Sequence, residues 1–119
     1  MLDRAPQENG TLDYCHENGI GFISFSPLAQ GLLTDRYLND IPADSRMAKE
    51  HFLKHSALTP ELLEQLKLWN AEAGERGETL AEMALAWILH QKGVTSVLVG
   101  ASSTAQLEKN MKCVHAKAF

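Results

Sequence analysis

Val94-Thr95-Ser96-Val97-Leu98-Val99, followed at once by Gly100-Ala101-Ser102-Ser103-Thr104, holds the key to the architecture. The first six residues are nearly all apolar or β-branched, the pattern of a strand covered on both faces in a parallel sheet. The small-residue loop then runs into a helix expected from Thr104 to about Ala116, with Leu107, Met111 and Val114 turned inward. Upstream, Thr79 and Glu82 form a capping box for a helix whose Leu80, Met83, Ala84, Trp87 and Ile88 make a broad apolar face, stopped by Gly93. Before it, Thr59-Pro60 opens a helix with the apolar stripe Leu62, Leu66, Trp69 and Ala73, ended at Arg76-Gly77. Ile20 to Ser26 reads as a second buried strand, stopped by Pro27. A short helix precedes it from Thr11, its cap, to Glu17, with Asn18-Gly19 as the left-handed stop. Residues 29–59 lack a sustained period and read as a long loop with one helical turn, functional or partly disordered. Strands alternating with helices indicate an α/β fold with a parallel sheet. Two parallel strands make a small sheet, and the core they imply is incomplete.

Composition narrows the class. The chain has 119 residues, 45% hydrophobic and 22% charged, enough for one domain with a core. With 11 basic and 15 acidic residues its net charge is −4, which offers no basic stripe for nucleic acid and no attraction to an anionic membrane. The two cysteines, Cys15 and Cys113, have no CxxC partner and read as reduced thiols. No apolar run approaches a membrane span, and Met1-Leu2-Asp3-Arg4 does not open a signal peptide. A cytoplasmic protein is expected.

Two loops stand out, each after a strand, where ligands bind in parallel α/β folds. In Ser26-Pro27-Leu28-Ala29-Gln30-Gly31-Leu32-Leu33-Thr34, a hydroxyl and freed backbone amides suit phosphate oxygens, and Gly31 permits close approach. A strand stop followed by an ordinary turn explains the same residues. In Val99 to Leu107 the loop meets a helix N-terminus, an anion site in the making, with Gln106 and Asn110 one turn apart. Ser103 with Gln106 is also a capping box, which accounts for both without a ligand. Arg36 and Arg46 carry charge that suits a phosphate, or are simply solvated. His51 and His55 are four apart but lack the intervening acidic base of a zinc helix, and Asp35 and Asp44 form no catalytic pair. No metal site is expected.

Together these segments resemble one family. Phe25 to Thr34, Tyr37-Leu38, Ile41-Pro42 and Ser45-Arg46 resemble the segment after the seventh strand of aldo-keto reductases. Thr79 to Trp87 and Val94 to Ser102 resemble the following helix and eighth strand, with Gln106-Leu107 and Asn110 completing the cofactor signature. The resemblance covers the chain from about residue 10 onward. It is strongest to the branch with potassium-channel β-subunits and bacterial L-glyceraldehyde 3-phosphate reductases.

The resemblance implies the C-terminal part of a (β/α)8 TIM barrel, about strands seven and eight with their flanking helices, so that residues 1–119 form a single partial domain. It implies NADP(H) as cofactor, with Ser26, Pro27, Leu28, Ala29, Gln30 and Gly31 along the nicotinamide ribose and pyrophosphate. Arg36 stands where lysine is frequent and Arg46 where an arginine faces the 2′-phosphate. Gly100, Ser102, Gln106 and Asn110 would hold the adenosine end. Asp35 departs from the family's glycine and Lys109 from its glutamate. The family's catalytic aspartate, tyrosine, lysine and histidine come from the first half of the barrel, so no catalytic residue is assigned here. The full-length parent would be an NADP(H)-dependent oxidoreductase converting an aldehyde or ketone to an alcohol. The chain alone would be inactive, or a remnant that self-associates as a dimer or higher oligomer.

Overall fold

A computed structural model describes residues 1–38 and 57–119. Its helices and strands in chain order are α1 (Ala5–Glu8), α2 (Thr11–Glu17), β1 (Phe22–Phe25), α3 (Pro60–Arg76), α4 (Leu80–Leu89), β2 (Val94–Leu98) and α5 (Thr104–Met111). Short 3-10 turns lie at Ala29–Gly31, Asp35–Tyr37 and Lys112–His115. The chain forms two compact units, Met1–Pro27 with Glu82–Phe119, and Leu28–Ala81. Arg46, Asp44, His51 and His55 lie outside the described residues, as does most of the expected 29–59 loop.

In the first unit, β1 and β2 pair in parallel, with Phe22 opposite Val94, Ile23 opposite Ser96, Ser24 opposite Val97 and Phe25 opposite Leu98. The register slips between Phe22 and Ile23. Thr95, the residue passed over, accepts the Phe22 amide at its Oγ1, 3.0 Å away, so the slip leaves no orphaned donor. The α/β class with a parallel sheet is therefore as expected. The expectation that the strands are covered on both faces is not met. Phe22, Ser24, Val94 and Val97 are half-buried, whereas Ile23, Phe25 and Leu98 are 64%, 79% and 64% exposed. Alternation follows from the two-residue period of a strand, and one face has no cover among the described residues.

Helix α2 ends as its sequence implies. Gly19 has φ +66°, the Ile20 amide donates to Cys15 O at 2.8 Å and the Gly19 amide to His16 O at 3.4 Å, which together make a Schellman motif. Its start corrects the sequence reading: Gly10, at φ +82°, is the cap position, and Asn9 Oδ1 takes the Thr11 amide at 3.0 Å. Thr11 is thus the first helical residue. Helix α1, too short to carry a period, was not anticipated; Gln7 ties it to Gln91 at 2.6 Å.

Helix α4 is buried almost all round, with Leu80, Met83, Ala84, Leu85 and Ala86 at 1% exposure or less. That is the behaviour of a core helix with an apolar surface on every side. Helix α5 departs from its expected orientation. Leu107, Met111 and Val114 are exposed, and Asn110 and Cys113 are buried. Both sets follow helical spacing, but one residue apart, which rotates the buried stripe by about 100°. Apolar spacing named a stripe correctly and assigned it the wrong side.

In the second unit, the Thr59 hydroxyl accepts the Leu62 amide at 3.1 Å and Pro60 begins α3, as cap chemistry implies. Gly77 at φ +76° closes it. Leu66 and Ala73 are fully buried, as are Leu33 and Tyr37 of the same unit. Arg76 and Glu78 form a close ion pair at 3.1 Å. Among the described residues no helix is long and apolar enough to cross a membrane.

Candidate functional site

Because β1 and β2 run parallel with Phe25 opposite Leu98, the chain leaves both strands at the same sheet edge. Ser26-Pro27 emerges from one and Val99-Gly100 from the other. Both candidate loops therefore start side by side, within the first unit. Leu28 to Gly31 and Arg36 belong to the second unit, and Arg46 lies outside the described residues.

The first loop stores strain. Ser26, Ala29 and Gln30 have φ of +50°, +49° and +58°. Left-handed backbone costs an L-residue about 1–2 kcal/mol, and three such residues within five positions are rare outside ligand-binding segments. Gly31, at φ +99°, follows, and a Cβ there would meet the Tyr37 ring at 3.5 Å. The turn is held by Gly31 N–H to Leu28 O at 3.0 Å, Leu33 N–H to Leu28 O at 3.1 Å and Thr34 Oγ1 to Gly31 O at 2.6 Å. Arg36 lies exposed on the following 3-10 turn, its amide donating to Thr34 Oγ1 at 3.3 Å. Sequence reading missed the strain, since alanine and glutamine carry no left-handed preference to flag it.

In the second loop half of the capping box is realised, the Gln106 side chain reaching Ser102 instead of the cap amide. Ser103 Oγ accepts the Gln106 amide at 3.1 Å. Gln106 Oε1 accepts from the Ser102 amide at 2.7 Å and the Ser102 hydroxyl at 3.0 Å. Two features remain that capping leaves unexplained. Asn110 is 5% exposed, yet its Nδ2 has no hydrogen-bond partner among the described residues. A buried, unsatisfied amide costs about 1–3 kcal/mol, so a donor kept this way points to an absent acceptor. A Cβ on Gly100 would touch nothing within 4 Å, so packing in the chain does not demand glycine there. Both features leave room for a ligand with acceptor atoms.

Elsewhere the site is plain. An open cleft of about 400 Å³ lies at the opposite, N-terminal ends of the strands, lined by His16, Gly19, Ile20, Gly21, Gly93, Val94 and Thr95. It presents no buried charge, and that end of a parallel sheet ordinarily serves stability. Among the described residues no group of His, Cys, Asp and Glu could hold a metal. Burial, with the Glu82 carboxylate adding to it, pushes the Cys113 thiol up from its ordinary value, which makes it an unreactive core thiol.

A parallel strand pair flanked by helices places the first unit among α/β proteins. The chain belongs to the aldo/keto reductase family, whose model matches residues 1–118. It is 48% identical over its whole length to L-glyceraldehyde 3-phosphate reductase of Escherichia coli O157:H7, covering 36% of that protein. It is 38% identical to a probable voltage-gated potassium channel subunit beta of Arabidopsis thaliana, over 96% of this chain and 36% of that one. Identity to the NADH-specific methylglyoxal reductase of Escherichia coli K12 is 35%, over 97% of this chain and 35% of that one. A crystal structure of a thermostable aldo-keto reductase with the inhibitor epalrestat superposes with TM-score 0.63 at 21% identity, over 99% of this chain and 32% of that one. That likeness speaks to fold alone. The chain spans about a third of the length of these relatives.

Proposed function

We propose that the chain is the NADP(H)-binding, C-terminal part of a (β/α)8 aldo-keto reductase whose full-length form reduces an aldehyde or ketone to an alcohol. The observation that carries the reading is the buried, unpartnered Asn110 Nδ2 beside a loop that needs no glycine for its own packing at Gly100. The left-handed backbone at Ser26, Ala29 and Gln30 supports it.

In this reading Ser26 to Gly31 line the nicotinamide ribose and pyrophosphate, and Arg36 and Arg46 supply positive charge to phosphate. Gly100, Ser102, Gln106 and Asn110 take the adenosine end. NADPH, when bound, supplies hydride to the carbonyl carbon. This chain's part is to bind and orient the dinucleotide, while the proton donor and the carbonyl pocket come from residues outside it. The 119-residue chain alone therefore does not turn over. It is cytoplasmic, and it neither binds nucleic acid nor adheres to membranes.

Fluorescence titration with NADPH and with NADH tests the cofactor claim, the second because one relative is named as NADH-specific. Quenching or enhancement that saturates with NADPH is expected, weak for want of the rest of a barrel wall. NADPH oxidation in the presence of 4-nitrobenzaldehyde by the purified chain would sink the claim of inactivity. A second reading has its own support. Ile23, Phe25 and Leu98 present an uncovered apolar sheet face, so the isolated chain self-associates.

A further inference from the structure

We propose that Asn9 is a site of spontaneous covalent modification, its side chain closing on the Gly10 amide nitrogen with loss of ammonia, while Asn18 in the same tripeptide is protected. Glu8-Asn9-Gly10 and Glu17-Asn18-Gly19 are identical in sequence. In both, glycine puts no side chain in the way of its own nitrogen, and a Cβ built on either one would meet nothing within 4 Å. The backbones match as well. Asn9 has φ −89° and ψ 1° where Asn18 has −101° and 10°, and Gly10 and Gly19 have φ +82° and +66°. Each glycine amide makes one long hydrogen bond, Gly10 to Gln7 O and Gly19 to His16 O, both at 3.4 Å. Both asparagines are exposed. Local sequence, backbone and access therefore do not separate the two sites.

Their side chains do. Asn18 Nδ2 donates to Tyr14 O at 2.8 Å, which ties the amide back along α2. That nitrogen is the leaving group, and the tie must break before the carbon beside it can turn onto Gly19. Asn9 Nδ2 has no hydrogen-bond partner among the described residues. Its Oδ1 instead accepts the Thr11 amide at 3.0 Å, which folds the side chain over the peptide of Gly10. A donor held on that oxygen also stabilises the negative charge it gains during attack. The chemistry needs only water. Hydroxide removes the Gly10 amide proton, the nitrogen bonds to Asn9 Cγ, and Nδ2 takes a proton from water and leaves as ammonia. Water then opens the succinimide at either carbonyl, giving aspartate or, with the main chain rerouted through the side chain, isoaspartate. Either product adds a negative charge to a chain of net charge −4. Isoaspartate also lengthens the main chain by one methylene between α1 and α2, displacing the acceptor of the Thr11 amide.

Ageing the purified chain at mildly alkaline pH, natively and in urea, tests this. A protease that cuts after glutamate puts the two asparagines on separate peptides, each read by the mass gained when an amide becomes an acid. In urea both should convert at similar rates, since the tripeptides are identical. In the native chain Asn9 should convert about tenfold faster than Asn18, the combined size of one hydrogen bond to be broken and one already made. Asn9→Gln should delay the first acidic form on ion exchange by a similar factor. Native rates within about twofold of each other overturn the inference, as does a native chain in which Asn18 leads. So does an Asn9→Gln chain that acidifies as fast as the wild type. A difference as large in urea as in the native chain overturns it too, because the fold would not be the cause.

Discussion

At the scale of single residues, two positions hold energy against the fold and one guards it. Ala29 sits at φ +49°, where a side chain costs about 1–2 kcal/mol and the extra unfolded freedom of glycine costs about 0.5–1 kcal/mol. The first term is larger, so Ala29→Gly should raise stability in urea unfolding by about 0.5 kcal/mol. Asn110→Leu should likewise raise stability by about 1 kcal/mol, since it removes a buried donor without a partner. It should also abolish the NADPH fluorescence response. A variant that gains stability and keeps the response would show that Asn110 serves packing only. Gly93 is the opposite case. It has φ +94°, and an added Cβ would lie 3.1 Å from Leu12 O and 3.2 Å from His16 Cβ. Gly93→Ala should lower the urea midpoint by an amount equivalent to about 2 kcal/mol.

Cys113 adds a pH term at the same scale. Its thiol is raised above the ordinary value by burial, with a backbone hydrogen bond opposing the rise and the Glu82 carboxylate adding a smaller push upward. A folded thiol that holds its proton more tightly than the unfolded one stabilises the fold fully below the unfolded thiol's pKa. That contribution is lost as pH rises through the folded value. Stability measured upward from neutral pH should fall more steeply in the native chain than in Cys113→Ala. Equal slopes would count against the shift.

Elements show which parts of the fold can be read in advance. Thr59-Pro60 and Gly77 bound α3 as cap chemistry demands, because caps are satisfied locally and leave their mark in residue type. The end of α2 at Asn18-Gly19 was legible for the same reason. Orientation of α5 was not. Its apolar stripe through Leu107, Met111 and Val114 is the face a periodicity argument would bury, but the described structure buries Asn110 and Cys113. Which face meets the core depends on partners, and local spacing does not contain them. The strain at Ser26, Ala29 and Gln30 was illegible too, since it is imposed by the turn and has no glycine or asparagine to announce it. The cofactor loops were legible as family motifs, but the Ser102–Gln106 hydrogen bonds needed coordinates.

For the whole molecule, the strand-pair face that no described residue covers bears on the proposed self-association. Phe25 is 79% exposed, so Phe25→Asp loses almost no packing within the chain. It should leave the thermal midpoint nearly unchanged and lower the weight-average mass in sedimentation equilibrium toward the monomer. Wild-type chain that sediments as a monomer at all concentrations would remove the association reading.

The register slip fastens Phe22 to a threonine 73 residues further along the chain. Synthesis at about 5–20 residues per second therefore leaves the first strand waiting roughly 4–15 seconds for its mate. Throughout that interval the pairing of Phe22–Phe25 with Val94–Leu98 cannot form, and the residues it joins are distant in sequence. Such topologies close slowly, because chain entropy is lost before any pairing repays it. The pairing of these two strands is thus a late and slow event, and the first strand's apolar side chains wait on it.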